Sequence, residues 1–118
     1  MAALTATDWT VVIQDRRTEN GAHICRVQLT LATAGSYPSN GIPWPGYQKL
    51  GLHRNLDFIR LHDVNPNVNT RVLNDVDNSS FRVFSSTASA TQEAEMATTV
   101  TLGSSATPFV LYGEAVGW

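Results

Sequence analysis

The sequence predicts an all-β fold, a single-domain antiparallel β-sandwich with about six to seven strands that is either jelly-roll-like or a small Greek-key barrel. Three observations predict it. Short segments alternate apolar and polar residues with the period of two that is typical of half-buried strands. Turn-forming residues separate these segments at short intervals. Charged residues make up only 15% of the 118 residues, and Thr, Ser, Asn and Gly take their place, which favours strands over helices.

The first two predicted strands form a hairpin. Residues 9–13 place Trp9 on the apolar face of the first strand, so we expect its ring in the core. Residues 25–31 alternate in the same way, and Cys25, the single cysteine, is predicted to be a buried structural thiol.

The connection between these strands contains Asn20-Gly21, a strong hairpin signal. A two-residue turn there places Ile13 opposite Gln28 and divides the apolar side chains between the two faces. A three-residue loop, residues 19–21, places Ile13 opposite Val27 and keeps the apolar side chains on one face. We therefore predict the three-residue loop, with its glycine in the left-handed conformation as a bulge.

The remaining strands follow in chain order. Residues 56–64 are apolar on both faces, which is typical of an interior strand. Asx-rich turns lead into short strands at 70–73 and 81–84. Two further strands are predicted at 98–102 and 109–116, and periodicity leaves the order of the strands open.

Three segments lie outside this strand pattern. Residues 1–8 have few apolar side chains and are predicted to form an N-terminal arm that reaches outward. Residues 33–55 are predicted to be a long, ordered loop. Residues 85–97, rich in Ser, Thr and Ala, are predicted to be a second loop, in which 92–97 form either one or two helical turns or an extended arm.

The long loop contains the most informative residues of the chain. Residues 36–47 include three of the five prolines and three aromatic side chains. Because proline fixes φ and lacks an amide donor, this run is neither an interior strand nor a helix. A long loop in so small a domain usually binds a partner or is disordered, and its aromatic residues argue against disorder.

Two interpretations of Trp44 and Tyr47 remain open at this point. Their rings either project from the rigid loop toward a partner or fold back to close one end of the core. Trp118 is a third large ring outside the strands' apolar pattern, and we expect it to dock onto this domain or onto a neighbour.

No spacing of reactive side chains in the sequence indicates catalysis or a bound metal. His23, His53 and His62 stand apart from one another, and we interpret them as structural or surface residues. The Asx-rich segment 63–69 lacks the glycine and the glutamate that a calcium loop needs. Serine is abundant, but no nucleophile motif surrounds it. We therefore predict that the protein is not an enzyme and binds no cofactor.

Charge and hydropathy restrict the partners that we expect. The net charge is −2 and the basic residues are scattered, so direct binding to nucleic acid is not expected. No apolar run approaches the ~20 residues that cross a bilayer, and the first residues do not form a signal peptide. We expect a chain that is made in a cytoplasm and does not associate with a membrane.

Several short motifs occur in an order that resembles small structural proteins of tailed bacteriophages. They are a strand that begins at Asp8-Trp9-Thr10, the loop Tyr37-Pro38-x-x-Gly41-Ile42-Pro43, the pair Leu50-Gly51, and a closing Glu114-Ala115-Val116-Gly117-Trp118. Members of that group are similar to head decoration, or cement, proteins, which bind the outside of an icosahedral capsid and strengthen it.

The resemblance implies a virion protein on the capsid exterior, made in the cytoplasm of a bacterial host. It implies that the chain binds the major capsid protein and forms a homo-oligomer, a dimer or a trimer. The side chains expected to contact these proteins are Tyr37, Pro38, Ile42, Pro43, Trp44, Pro45, Tyr47 and Trp118.

Two other functions are compatible with the same residues. One is a carbohydrate-binding β-sandwich module in which Trp44 and Tyr47 stack on sugar rings. The other is a component of the tail or baseplate of the same virion.

Overall fold

The computed structural model describes residues 2–64, 70–85, 94–95, 98, 101–103 and 108–118. Its first element is a single 3-10 turn, η1 (Ala6–Asp8). The strands of the described residues are β1 (Thr10–Glu19), β2 (Ala22–Leu31), β3 (Gly35–Ser36), β4 (Ile42–Pro43), β5 (Leu56–Val64), β6 (Thr70–Asp75), β7 (Ser80–Ser85), β8 (Ala94–Glu95), β9 (Thr101–Leu102) and β10 (Phe109–Gly117).

The strands form antiparallel sheets, which confirms the predicted β-sandwich class. The first sheet has four strands in the order β1-β2-β10-β5. The second has the order β4-β7-β6, with β8 also paired to β7, and a small third sheet joins β3 and β9. In the part of the chain that the structure describes, no helix has the length and apolarity to cross a membrane.

One hydrophobic core joins the inner faces of these sheets. Strand β2 contributes every second side chain from Cys25 to Leu31, all of them buried, as its alternation predicts. Phe81 and Val83 of β7 enter the same cluster from the second sheet. Burial of each large apolar side chain contributes about 1.5–3 kcal/mol. Trp9 lies in this core as predicted, with only 1% of its surface exposed.

The register of the first hairpin is the one that the apolar pattern predicts. Val11 pairs with Leu29, and Ile13 pairs with Val27. Side chains of β1 are nevertheless less buried than the pattern suggests, and Ile13 remains 39% exposed. The reason is that β1 is an edge strand.

The turn of this hairpin differs from the prediction. Glu19 pairs with Ala22, so the loop holds two residues, Asn20 (φ 53°) and Gly21 (φ 84°), as in a type I′ turn. The register shifts inside β1 instead, where Gln14 has no partner in the ladder and forms a β-bulge. The parity argument correctly required one extra residue. The chain accommodates it in the strand because Asn-Gly readily adopts the tighter turn.

Residues 2–8 lie against the domain, which corrects the prediction of an outward-reaching arm. Ala3 forms a parallel bridge with Ser36, and the amide of Leu4 donates to the Ser36 carbonyl at 3.0 Å. Leu4 is buried in the space left by Gly35, which lacks a Cβ. The buried Leu4 and the main-chain hydrogen bonds with Ser36 together hold the segment against the core.

Two predicted segments lie mainly outside the described residues. They are the turn at 65–69 and most of the Ser/Thr/Ala-rich loop at 85–97. Within that loop, Ser85 ends β7, and the two residues Ala94–Glu95 form β8, which pairs with β7. At these two positions the chain is extended and not helical.

Candidate protein-contact site

Trp44 anchors the proline-rich loop in the chain's own core. Its ring is 6% exposed and packs at a tilt on Phe81, with 6.3 Å between ring centroids. Phe81 also receives the edge of Trp9 at 5.6 Å. The structure therefore supports the core-closing interpretation of Trp44 within a single chain.

Three hydrogen bonds fasten the loop backbone around this anchor. The indole Nε1 of Trp9 donates to the carbonyl of Pro43 at 2.8 Å. The amide of Trp44 donates to the carbonyl of Ser79 at 2.9 Å. The hydroxyl of Ser80 donates to the carbonyl of Asn40 at 2.6 Å. Because prolines cannot supply amide donors, the loop relies on the side chains of Trp9 and Ser80 and on the carbonyl of Ser79 to fix its shape.

Gly41 permits the turn that brings this loop against β7. Its φ of +94° lies in the left-handed region, and a Cβ at this position would be 2.6 Å from the carbonyl oxygen of Phe81. Only glycine combines that dihedral angle with so close a backbone approach.

Tyr37 is a second anchor, and its hydroxyl completes the edge of β7. The hydroxyl accepts a hydrogen bond from the amide of Val83 at 3.0 Å and donates to Oε2 of Glu95 at 2.7 Å. It thus fills the gap between β4 and β8, which pair with β7 on either side of Val83. Burial and the Glu95 carboxylate raise the pKa of Tyr37 to about 12, although the Val83 amide acts in the opposite direction.

An ion-pair network supports Tyr37. Arg82 donates to Oε1 of Glu95 at 3.2 Å and to Oδ2 of Asp75 at 2.7 Å. The side-chain and backbone amides of Asn78 also donate to Asp75. Hydrogen bonds from Asn78 and Arg82 lower the pKa of Asp75, and the hydrogen bond to Asp75 raises that of Arg82.

A groove of about 230 Å³ opens at the outer end of the loop. We call it the Tyr47 groove, and its walls are Ala6, Thr7, Gly46, Tyr47, Gln48 and Lys49. The ammonium of Lys49 donates to the carbonyls of Thr7 at 3.2 Å and Trp9 at 3.0 Å. These bonds join the two walls, η1 and the turn at 46–49.

Trp118 docks onto its own domain and lies outside the Tyr47 groove. Its main-chain oxygen accepts hydrogen bonds from three successive amides, those of His53 at 2.9 Å, Arg54 at 2.5 Å and Asn55 at 3.3 Å. The ring stands beside Gly21 at the hairpin turn and is 43% exposed. It lines a separate cavity that shares no residue with the Tyr47 groove.

The predicted contact residues therefore separate into groups by exposure. Four are buried within the chain, namely Tyr37, Ile42, Trp44 and Pro45. Pro38, Pro43 and Tyr47 are partly exposed along the loop, and Trp118 is exposed elsewhere. Only Tyr47 of this set lines the groove.

The sequence alone did not identify the other walls of the groove. Ala6, Thr7, Gln48 and Lys49 belong to no motif and to no periodic segment. The hydrogen bonds of Lys49 to Thr7 and Trp9, which we call the Lys49 clamp, join residues about 40 positions apart in the chain, so no local pattern marks them.

The histidines are arranged differently from the expectation that they stand apart. The rings of His23 and His53 meet edge to face, with 5.3 Å between centroids. The side chain of His62 lies outside the described residues. Over the described ranges, no group of three or more His, Cys, Asp or Glu residues is arranged to hold a metal ion. Cys25 is buried, as predicted.

No family model, curated protein or solved structure matches the chain.

Proposed function

We propose that the chain is a non-enzymatic decoration protein, which binds the outer surface of a tailed-phage capsid through the Tyr47 groove and stabilises the shell. The observation that carries the proposal is that the walls of this groove are held in place by contacts within the chain. One wall belongs to a loop that is anchored by buried side chains, and hydrogen bonds from Lys49 join it to the other wall, which belongs to η1. The sequence motifs at 37–51 that resemble phage structural proteins coincide with this loop.

A loop fixed in this way loses little conformational entropy when a partner binds. Ordering a mobile contact side chain costs about 0.5–1.5 kcal/mol, and a loop that is already ordered avoids much of that cost. The anchors Tyr37 and Trp44 are buried before any partner arrives. They act on binding by holding the groove in shape, while Tyr47 supplies the contact.

The lining of the groove fits a side chain or turn of another protein. The ring of Tyr47 and the methyl group of Ala6 form apolar walls, and Gly46 leaves open space beside them. Gln48 adds an amide at the rim. Apolar walls with a polar rim are the usual anatomy of a protein contact. A groove of this size binds weakly by itself, and several copies on one shell supply the avidity that decoration requires.

The carbohydrate-binding alternative loses one of its two stacking rings. The Trp44 ring lies inside the chain, so only Tyr47 remains available for a sugar at this loop. A protein partner therefore fits the groove better than a glycan does.

Location in the virion is the first test. Mass spectrometry of tail-free heads, purified from the phage that encodes the chain, is expected to detect it in many copies per particle. Its absence from heads would sink the decoration proposal, and its recovery in isolated tails would assign it to the tail or baseplate.

Binding through the groove is the second test. Heads lacking the chain are mixed with purified protein, and the bound fraction is measured by co-sedimentation. We expect Tyr47→Ala to weaken binding about tenfold, whereas Leu73→Ala, an equally simple truncation of an exposed side chain on β6, leaves binding unchanged. Equal binding by both variants would show that the capsid contact lies elsewhere.

A further inference from the structure

A row of four charged residues crosses the first sheet from one edge to the other. Asp15 on β1 pairs with Arg26 on β2. Arg26 also pairs with Glu114 on β10, and Glu114 pairs in turn with Arg60 on β5. Directly paired residues lie on the same face of a sheet, ~5 Å apart. The charges therefore alternate across the four strands as negative, positive, negative and positive.

This charge row lies on the face that points away from the core. Side chains alternate between the two faces of a strand, and the neighbours of Arg26 and Glu114 along their strands include the buried Cys25, Val27 and Ala115. We call the opposite face of β1-β2-β10-β5, which carries the charge row, the outer face.

Apolar side chains stand exposed on the outer face on both sides of the charge row. Val12 is 51% exposed and Tyr112 37% exposed on one side of the row, and Phe58 is 37% exposed on the other. Ile24 and Val116 are half-buried beside Phe58. Exposed aromatic side chains and arginines, both present on this face, are enriched at protein interfaces.

The alternating signs make the charge row complementary to its own reverse. Consider a second copy stacked on the outer face and related to the first by a two-fold axis. If this axis lies between the two copies and runs parallel to the strands, midway between β2 and β10, the row of the second copy runs in the reverse order. Asp15 then faces Arg60 of the second copy, and Arg26 faces its Glu114. A two-fold axis along the row would instead set each charge against its own equivalent. The charges therefore favour one way of stacking this face on itself.

The apolar side chains match under the same symmetry. The next row toward the hairpin turn runs Arg17, Ile24, Val116 and Phe58. Reversal of this row places Ile24 against Val116 of the second copy. Within each chain, Arg17 pairs with Glu114 at 3.7 Å, and the guanidinium of Arg60 lies 6.0 Å from the centroid of the Phe58 ring. Sheets that pack face to face with nearly aligned strands lie ~10 Å apart, a separation that these side chains span.

We propose that the outer face is the contact between two copies of this chain in an isologous dimer, with the two-fold axis along the strands. The proposal is independent of the capsid function, because the Tyr47 groove and the outer face share no lining residue. Each subunit of the dimer therefore keeps its groove free.

The size of the face predicts a weak, reversible dimer. Four strands ~4.8 Å apart and about nine residues long cover roughly 550 Å². Specific interfaces begin near ~600 Å² on each partner. Because opposite charges contribute much of the complementarity, salt is expected to weaken the dimer.

Two charge reversals test the pairing across the axis. Asp15 and Arg60 lie on opposite edge strands of the sheet, ~14 Å apart, so they do not pair within one chain. Either Asp15→Arg or Arg60→Glu sets two pairs of like charges against each other in the dimer. Sedimentation equilibrium is expected to show a wild-type dimer, and about tenfold weaker association for each variant alone.

Mixing the two variants separates this interface from any other. In the mixed dimer, the introduced arginine of one chain meets the introduced glutamate of the other, and Arg60 of the first meets Asp15 of the second. An equimolar mixture is therefore expected to recover association to within about threefold of wild type. Asp77→Arg makes the same charge change in the exposed turn between β6 and β7 and is expected to leave the dimer intact. Circular dichroism and thermal melts check that each variant is folded.

Three results would overturn the proposal. The first is a wild-type chain that stays monomeric at low salt and millimolar concentration, which would leave the outer face to another ligand. The second is a dimer that Asp15→Arg does not weaken, because such a dimer uses another surface. The third is a mixture of the two variants that associates no better than either variant alone.

Discussion

The proline-rich loop and the outer face of the four-stranded sheet use aromatic side chains in opposite ways. In the loop, Tyr37 and Trp44 are buried and hold backbone that has few hydrogen-bonding partners of its own. On the outer face, Tyr112 and Phe58 are exposed. Tyr112 lies on β10, which is paired on both sides, and Phe58 lies on the edge strand β5. Two of the conspicuous rings of the loop are thus structural, and exposed rings also occur in strands of ordinary composition.

This contrast teaches that rigidity and availability are different properties of a loop. Prolines and aromatic rings predict a loop of one shape. They do not predict which way the rings point, since that depends on the room left in the core. The groove beside Tyr47 is available because Trp44 turns inward and fixes the loop behind it.

The largest expected effect is the removal of the buried anchor. Trp44→Ala is expected to lower the free energy of unfolding by about 3–5 kcal/mol, because it leaves a cavity against Phe81. Tyr112→Ala on the outer face is expected to cost less than ~1 kcal/mol. Urea denaturation measures both free energies of unfolding. A similar loss for the two variants would contradict the role of Trp44 as a buried anchor.

Trp44→Phe tests whether burial of an aromatic ring is sufficient at this position. The indole Nε1 of Trp44 has no hydrogen-bond partner among the described residues. Phenylalanine keeps an aromatic ring in the core and removes that unpaired donor, so we expect most of the stability to return. A loss as large as that of Trp44→Ala would mean that the shape of the indole matters more than its burial.

Gly41 and Gly46 of the loop provide a matched pair of alanine substitutions that test how closely the loop backbone packs against β7. Gly41→Ala forces a side chain into a left-handed conformation and against the Phe81 carbonyl, and we expect a loss of about 1–3 kcal/mol. A Cβ on Gly46 meets nothing within 4 Å, and Gly46→Ala is expected to be neutral or to stabilise by up to ~1 kcal/mol. Thermal melts should show a lower melting temperature for Gly41→Ala and an unchanged or higher one for Gly46→Ala. Equal shifts would argue against a tightly held loop.

Alkaline pH is expected to weaken the loop through Tyr37. The pKa of this buried phenol is raised from 10.0 to about 12 in the folded chain. The unfolded chain therefore loses this proton first, so the stabilisation is complete below pH ~10 and is lost as the pH rises toward 12. Tyr37→Phe leaves the Val83 amide unpaired and is expected to cost about 1–3 kcal/mol at neutral pH.

Urea denaturation at pH 9 and pH 11.5 measures this alkaline effect. The wild-type chain is expected to lose more stability between these two values than Tyr37→Phe does. If the variant declines just as steeply, the alkaline loss belongs to other groups.

The smallest expected effect is acid destabilisation through the network that supports Tyr37. Hydrogen bonds from Asn78 and Arg82 hold the pKa of Asp75 below its ordinary range. The stabilisation is therefore present above the ordinary pKa of an aspartate and is lost as the pH falls through the folded value. Asp75→Asn should flatten the decline in stability below pH ~4. An unchanged dependence of stability on acid pH would show that the charge of Asp75 does not stabilise the folded chain.

The sequence predicted those features that depend on near neighbours in the chain. A period of two identified the inner face of β2 and the burial of Cys25 and Trp9. Parity gave the correct register of the first hairpin, with Ile13 opposite Val27. The proline-rich run, predicted to be neither an interior strand nor a helix, contains the two-residue edge strand β4 and two buried anchors.

Parity did not locate the extra residue of the hairpin. A bulge at Gln14 and a three-residue loop give the same register beyond the bulge, so the pattern of faces cannot distinguish them. The preference of Asn20-Gly21 for the tighter turn decided the matter locally. The arm at 2–8 was misjudged for a different reason, because the pocket that accepts Leu4 is built by Gly35 on another segment.

By itself, the sequence determined that this chain is a β-sandwich, because side-chain alternation is a local property. Only the tertiary structure decided that Trp44 closes the core, that Lys49 joins η1 to the loop, and that four alternating charges share one row. The row exists because β10 lies between β2 and β5, which places segments distant in sequence side by side. Pairings between distant segments depend on how the whole core packs, and no periodicity along the chain encodes them.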